Sequence, residues 1–434
     1  MKRMLCILLT GMMLLTAACT AGSTPEAEEP DVEPTEAPNA EPIGNNDPIE
    51  PVIDPFIEIP DVQGYDGFMS LLSAALLSGT ENMNLAPISV YLALAMVTEG
   101  AKGETQAELL KLLGCKSLVE LRGVCAKMLE TLTVDEDGST LDFHNSFWMA
   151  SEIMGQPVHI HESYLDALSD TFRSEAYAVN FGSFSANEQI AAWINKHTRG
   201  KINVQADALE FDPATLAVLI NTIYLKDGWS DAFSEEQTEP GGFNGLDGTF
   251  DVSYMHRFDR GSTVRQGDGF TAYRVYLNRT GYVTFILPDE GVAPESLLGS
   301  PEAIDTLLNG GVEERFDVDL MIPKFKFQNK MELIDVLSAL GLRLSFSPDA
   351  DFSGISDMPC CIDSVIQESY IGADENGIEA AAYTMISMRA TGYMMPEELP
   401  QLDFHLTRPF LYAIQSHDGT VLFIGTVTEP TASN

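Results

Sequence analysis

Read with period two, the stretch from Asp374 to Pro396 separates into two unlike faces. Ile378, Ala380, Ala382, Thr384, Ile386, Met388 and Ala390 form a face with no charge. Glu379, Ala381, Tyr383, Met385, Ser387, Arg389 and Thr391 form the other, which holds both charges. Such alternation predicts a strand with one face buried and one wet. No proline falls between Pro359 and Pro396, so every backbone N–H in the run is free to join a ladder. The first half is nevertheless rich in Ala, a poor strand former and a good helix former, and an Ala-rich helix after an Asn-Gly turn is the alternative. A strand-competent segment with weak intrinsic preference is what a conformational switch requires. Upstream, a stripe of Phe68, Leu71, Leu72 and Ala75 predicts a helix from about Tyr65 to Leu77, closing at Gly79. Asn84 to Thr105 reads as a helix with a Gly-rich end, Asn145 to Trp148 as a strand start, and the apolar run Leu219 to Trp229 as a fully buried strand. Asp135 to Gly138 reads as a hairpin turn, since the ligand spacing of a calcium loop is missing.

Composition changes this picture at the N-terminus. Lys2 and Arg3 precede an uncharged run from Met4 to Ala18, too short for the ~20 residues of a membrane span and suited to a secretory signal. The ending Leu15 to Cys19 resembles a bacterial lipobox, which implies a lipidated Cys19 and an extracytoplasmic protein, lipid-anchored to the bacterial cell membrane or released by ordinary signal cleavage. Residues 1–18 are therefore assigned as signal. Residues 19–62 are assigned as an acidic tether rich in Pro and Glu, because 12 acids and no base from Thr20 to Asp61 leave too little apolar surface to fold. Residues 63–431 are assigned as one large domain.

The chain carries 65 acidic and 24 basic residues, a net charge of −41. Without the tether acids and the two signal bases, 53 acids still face 22 bases, which argues against nucleic acid and anionic membrane surfaces as partners. Membrane contact is expected only through the lipid. Cys115, Cys125, Cys360 and Cys361 show no metal spacing and read as incidental buried thiols; no metal or cofactor is expected. The seven histidines are scattered and read as surface or core polar detail. No catalytic residues are assigned: G-x-S-x-G is absent, and Gly267 to Ala272, a relaxed dinucleotide fingerprint, is followed by a strand-like run where a helix is needed.

The hinge of the serpins, the serine protease inhibitor fold, has the pattern E-x-G-[ST]-E-A-A-A-x-T. Glu375, Gly377, Glu379, Ala380, Ala381, Ala382 and Thr384 resemble it, with Ile378 and Tyr383 as departures. Further blocks follow in family order: Pro87 and Ser89 opening a helix, Ile190 to Ile202, Leu219 to Trp229, Thr284 to Asp289, Leu320 to Phe327, Leu340 to Phe346, Ala350 to Ile355, and the closing strands up to Pro430. The resemblance implies an α+β protein, the serpin fold. Helices would surround a large mixed β-sheet with two smaller sheets, and a reactive-centre loop at about 375–400 would be exposed.

What the resemblance implies for function is a suicide inhibitor, a monomer and not an enzyme. A serine protease would cleave the loop and be held as an acyl-enzyme while the hinge side inserts into the main sheet as an added strand. Gly377 would be the pivot, and Ala380, Ala381 and Ala382 the slim leading part. Glu375 would pair with Lys324 at the top of the sheet. Ser89, Asn221 and Trp229 would lie around the opening, with Gln367 where the family usually has His. Counting fourteen residues on from Gly377 places the scissile bond at Thr391–Gly392, which suits elastase-like or subtilisin-like pockets; Arg389, Tyr393 and Met394 are the rivals. The competing class is a non-inhibitory serpin, a binding or structural protein at the cell surface. Ile378 discriminates: it lies on the inserting face, where a bulky β-branched group can slow entry.

Overall fold

The computed structural model describes residues 63–209, 211–378 and 399–430. The signal, Cys19, the tether, Glu379, Ala380, Ala381, Ala382, Thr384 and the Thr391–Gly392 bond with its rivals lie outside the described residues.

The helix Pro87–Gly100 has no polar face: Ile88, Tyr91, Leu92, Leu94, Ala95 and Met96 are all buried. A helix apolar all round must be covered all round. It packs on the strand Ala217–Gly228 of one sheet and on Val421–Val427 of another, with four further helices about it. Its bounds are narrower than the pattern predicted. Pro87 sits in the first turn, where its missing N–H costs nothing, and Asn84 belongs to the short strand Met83–Leu85. The chain breaks at Ala101 and restarts as Gly103–Leu112.

Eight α-helices and three sheets are present among the described residues. The seven-stranded sheet runs in the order Phe325–Glu332, Ile366–Asp374, Gly377–Ile378, Ala217–Gly228, Ser139–Ala150, Val134–Glu136, with Glu175–Val179 parallel to Ser139–Ala150. The nine-stranded sheet carries the C-terminal pair Phe410–Ser416 and Val421–Val427 near one end and Gln401–His405 at the other. The third is a two-stranded hairpin. The most direct passage between the large sheets is at Lys324: Val312–Pro323 leaves the nine-stranded sheet there and enters the seven-stranded one as Phe325–Glu332.

Three expectations need correction. Asn145 to Trp148 lies within the strand Ser139–Ala150, not at its start. Leu219, Ile220, Asn221 and Ile223 are only partly buried, because among the described residues two alone cover the edge of their strand facing Ile366–Asp374. Cys115 and Cys125 are buried free thiols, but Cys361 is exposed. The Asp135 to Gly138 turn does join a hairpin, with φ of 53° at Asp137 and 83° at Gly138, the left-handed pair that matches strand twist. Among the described residues no helix is long and apolar enough to cross a membrane.

Candidate functional site at the hinge and its slot

The hinge is fixed at its entrance by four contacts. Trp229 is buried, and its Nε1–H donates to the Asp374 carbonyl at 2.7 Å. Asn376 N–H donates to Asp374 Oδ1 at 2.8 Å and closes a local turn. Lys324 Nζ donates to Glu375 Oε2 at 2.8 Å, and Thr238 Oγ1–H donates to Oε1 at 2.7 Å. Burial raises the Glu375 pKa, but the hydrogen bonds from Lys324 and Thr238 outweigh it and hold the carboxyl below its ordinary value. Gly377 has φ of 147°, and a Cβ there would lie 2.1 Å from the Asp227 carbonyl oxygen. No side chain fits that approach.

Ile378 is 3% exposed and pairs with Ala373 on one side and Asp227 on the other. Asp227 escaped the sequence reading. Its carboxylate is buried and accepts four hydrogen bonds, from Ser139 Oγ at 2.5 Å, Arg279 N at 3.0 Å, Thr280 N at 2.7 Å and Thr280 Oγ1 at 2.8 Å. Full satisfaction lets a charge sit in the sheet and pins the strand end on which the hinge docks. Its partners lie 52 to 88 residues away in sequence, so no local motif announces it.

Gly377–Ile378 runs antiparallel to both neighbours, so Ala217–Gly228 and Ile366–Asp374 are parallel to each other. Beyond Ile378 these two strands have no direct pairing among the described residues. A cavity of ≈ 30 Å³ lies there, lined from both strands by Ile223, Leu225, Ile371 and Gly372.

At the base, Gln367 holds both backbone groups of Ala86: its Nε2–H donates to the carbonyl at 2.7 Å and its Oε1 accepts from the N–H at 3.3 Å. Ser369 Oγ–H donates to the Asn84 carbonyl at 2.5 Å. Ser89 lies partly buried on the first helical turn, its N–H on the Ala86 carbonyl at 3.0 Å. Asn221 Nδ2–H donates to Asn145 Oδ1 at 2.7 Å, and Asn145 Nδ2–H to the Phe172 carbonyl at 2.7 Å. Asn221 Oδ1 is buried and has no partner among the described residues. The His144 and His197 rings stand 4.1 Å apart in this region, and burial lowers the pKa of each.

The family model described as serpin (serine protease inhibitor) matches residues 67–430. The chain is a serpin. An uncharacterized serpin-like protein of Thermococcus kodakarensis is 29% identical over 381 residues, 86% of each chain. Alpha-1-antiproteinase S of Cavia porcellus is 30% identical, over 82% of this serpin and 86% of its own length. A crystal structure of the thermophilic serpin tengpin in the native state superposes with a TM-score of 0.72 at 25% identity, covering 84% of this chain and 93% of that one. Serpins are in general serine protease inhibitors and not enzymes.

Proposed function

We propose that this serpin inhibits a serine protease as a suicide substrate, trapping the acyl-enzyme by inserting its cleaved loop into the seven-stranded sheet. The observation that carries the reading is the two-residue strand Gly377–Ile378, seated between two parallel strands that have no direct pairing beyond it among the described residues. Continuing its register sets Ala380 between Leu225 and Ile371, Ala382 between Ile223 and Ser369, and Thr384 between Asn221 and Gln367. Small residues then enter first, and a hydroxyl arrives beside the unpartnered Asn221 oxygen. A dozen new ladder bonds at roughly 0.5–1.5 kcal/mol each total on the order of 10 kcal/mol. Enzymes are stable by only ~5–15 kcal/mol, so this release suffices to distort a captive protease and stall deacylation.

A non-inhibitory reading rested on the bulk of Ile378. Its side chain is already accommodated at 3% exposure, which supports the inhibitory reading. The reactive bond is placed at Thr391–Gly392 and the target among elastase-like or subtilisin-like enzymes. The protein would work outside the cytoplasm, as a folded domain over residues 63–431 held by Cys19 and the tether. Incubation with a panel of serine proteases tests all of this. A denaturant-resistant covalent complex is expected, with a released C-terminal peptide starting at Gly392. Cleavage by every protease with no complex would sink the inhibitory reading, and a peptide starting at Ala390 would move the bond to Arg389.

A further inference from the structure

Four metal-binding side chains from three strands share one face of the nine-stranded sheet at the far end of the loop. Asp319 and Asp403 are directly opposed in the parallel pairing of Val312–Pro323 with Gln401–His405. His405 lies two residues beyond Asp403, and His256 is opposed to Met321, two residues beyond Asp319. Period two therefore points all four side chains the same way. Ligand atoms of Asp319, Asp403 and His405 lie within 4.8 Å of one another. His405 Nε2 is 3.3 Å from Asp319 Oδ2, and His256 Nε2 is 2.5 Å from Asp319 Oδ1.

We propose that Asp319, Asp403 and His405, with His256 as fourth ligand or as the group orienting Asp319, bind a zinc-class divalent cation. Two carboxylates directly opposed across a ladder favour a cation between them. Zinc bonds of about 2.0–2.2 Å in a tetrahedron put neighbouring ligand atoms roughly 3.3–3.5 Å apart, close to the His405–Asp319 spacing. Imidazole with carboxylate selects the later first-row metals over magnesium or calcium. The His256 contact to the second oxygen of Asp319 is the outer-shell arrangement that fixes a ligating carboxylate. Sequence spacing hid the cluster, because Asp319 and His405 are 86 residues apart.

The site has a mechanical consequence, and this part rests on the proposed function. Among the described residues Gln401–His405 is an edge strand with one neighbour, and it begins just after the loop. An uncut loop is anchored at both ends, so it fills the slot far beyond Ile378 only if this strand gives way. A cation joining Asp403 and His405 to Asp319 fastens the strand and slows such conversion.

Titration of the purified protein with zinc chloride by calorimetry at about pH 7.5 is expected to show a site of micromolar affinity or better. That affinity falls at least tenfold in Asp403→Asn and in His405→Gln. Asp403 is exposed, so Asp403→Asn is expected to melt like the parent and serves as the folded control. Cobalt in place of zinc should give a visible tetrahedral band that His405→Gln loses. No binding, or binding unchanged in both variants, overturns the site. Zinc should also slow heat-induced conversion, followed on native gels, several-fold in the parent and not in Asp403→Asn. Binding without slowing overturns the fastening and leaves the site standing. Binding without protease trapping overturns the proposed function alone.

Discussion

Two strands of this serpin, each long enough to be a core strand, are used in opposite ways. Phe410–Ser416 is paired over six positions with Gly281–Pro288 and over six with Val421–Val427, and every residue in it is buried. Ala217–Gly228 is paired over ten positions with Ser139–Ala150 but, among the described residues, over two on its other edge. The first has spent its backbone hydrogen bonds in the fold. The second has an edge with few partners among the described residues, pinned at its top by Asp227 and facing a strand tied at its base by Gln367. On the proposed function, one sheet is complete and the other would take a strand from its own chain.

The most direct way to break that contrast is to cut the loop. Nicking usually destabilises, but here it frees the uncharged face to enter the slot. With roughly 2–4 °C per kcal/mol, or somewhat less at this size, the melting temperature of the nicked protein should rise by about 20 °C or more by calorimetry. Equal melting of intact and nicked forms would mean that this edge is not used.

Next in size is Ile378→Glu. It places a second carboxylate opposite the buried and already satisfied Asp227, where an unpaired charge is costly. Proteases should still bind and cleave, while the fraction trapped as covalent complex drops at least tenfold. Retained trapping would show that the hinge does not enter along this register.

A smaller effect belongs to Lys324→Ala, which leaves the buried Glu375 carboxylate only Thr238 as a side-chain donor, at a cost of about 1–3 kcal/mol. Conversion to polymer or a loop-inserted form on mild heating should quicken several-fold. The same contact sets a pH dependence. Because the folded pKa of Glu375 lies below its unfolded value near ~4.3, its stabilisation is complete above that pH and fades as pH falls through the lower folded value. Hinge release should accordingly accelerate below about pH 4.3, and less so in Lys324→Ala. A parent protein whose release rate is flat across that window would remove Glu375 from the latch.

The smallest effect is expected for Gln367→Ala, which loses two hydrogen bonds to Ala86 at ~0.5–1.5 kcal/mol each. The midpoint should fall by a few degrees, with the inhibitory fraction little changed. A large loss of trapping would promote the base from a tie to a working part of the opening.

Much of this was legible because the hinge motif is local. Glu375, Gly377 and Ile378 announce themselves within four residues, and Lys324 follows from the family order of the Leu320 to Phe327 block. What stayed hidden depends on pairing at long range. Asp227 draws its donors from two distant segments, Thr238 reaches Glu375 across 137 residues, and the Asp319 cluster exists only once three strands are in register. The apolar run Leu219 to Trp229 misled for a related reason. Hydrophobicity records the burial a strand reaches when its sheet is full, not the state of its free edge.

If the proposed function holds, the geometry of the slot would also make the protein a receptor whose ligand is tethered. Ile378 already sits in place, so the residues that follow are presented at an effective concentration set by a very short linker, in the millimolar range for flexible chains. The flanking strands offer backbone groups and a mostly apolar floor, which discriminate little among extended, uncharged sequences. A free peptide copying residues 379–388, or the same segment from a second molecule, therefore competes only when it approaches that concentration, or when the native segment is held back at its far end.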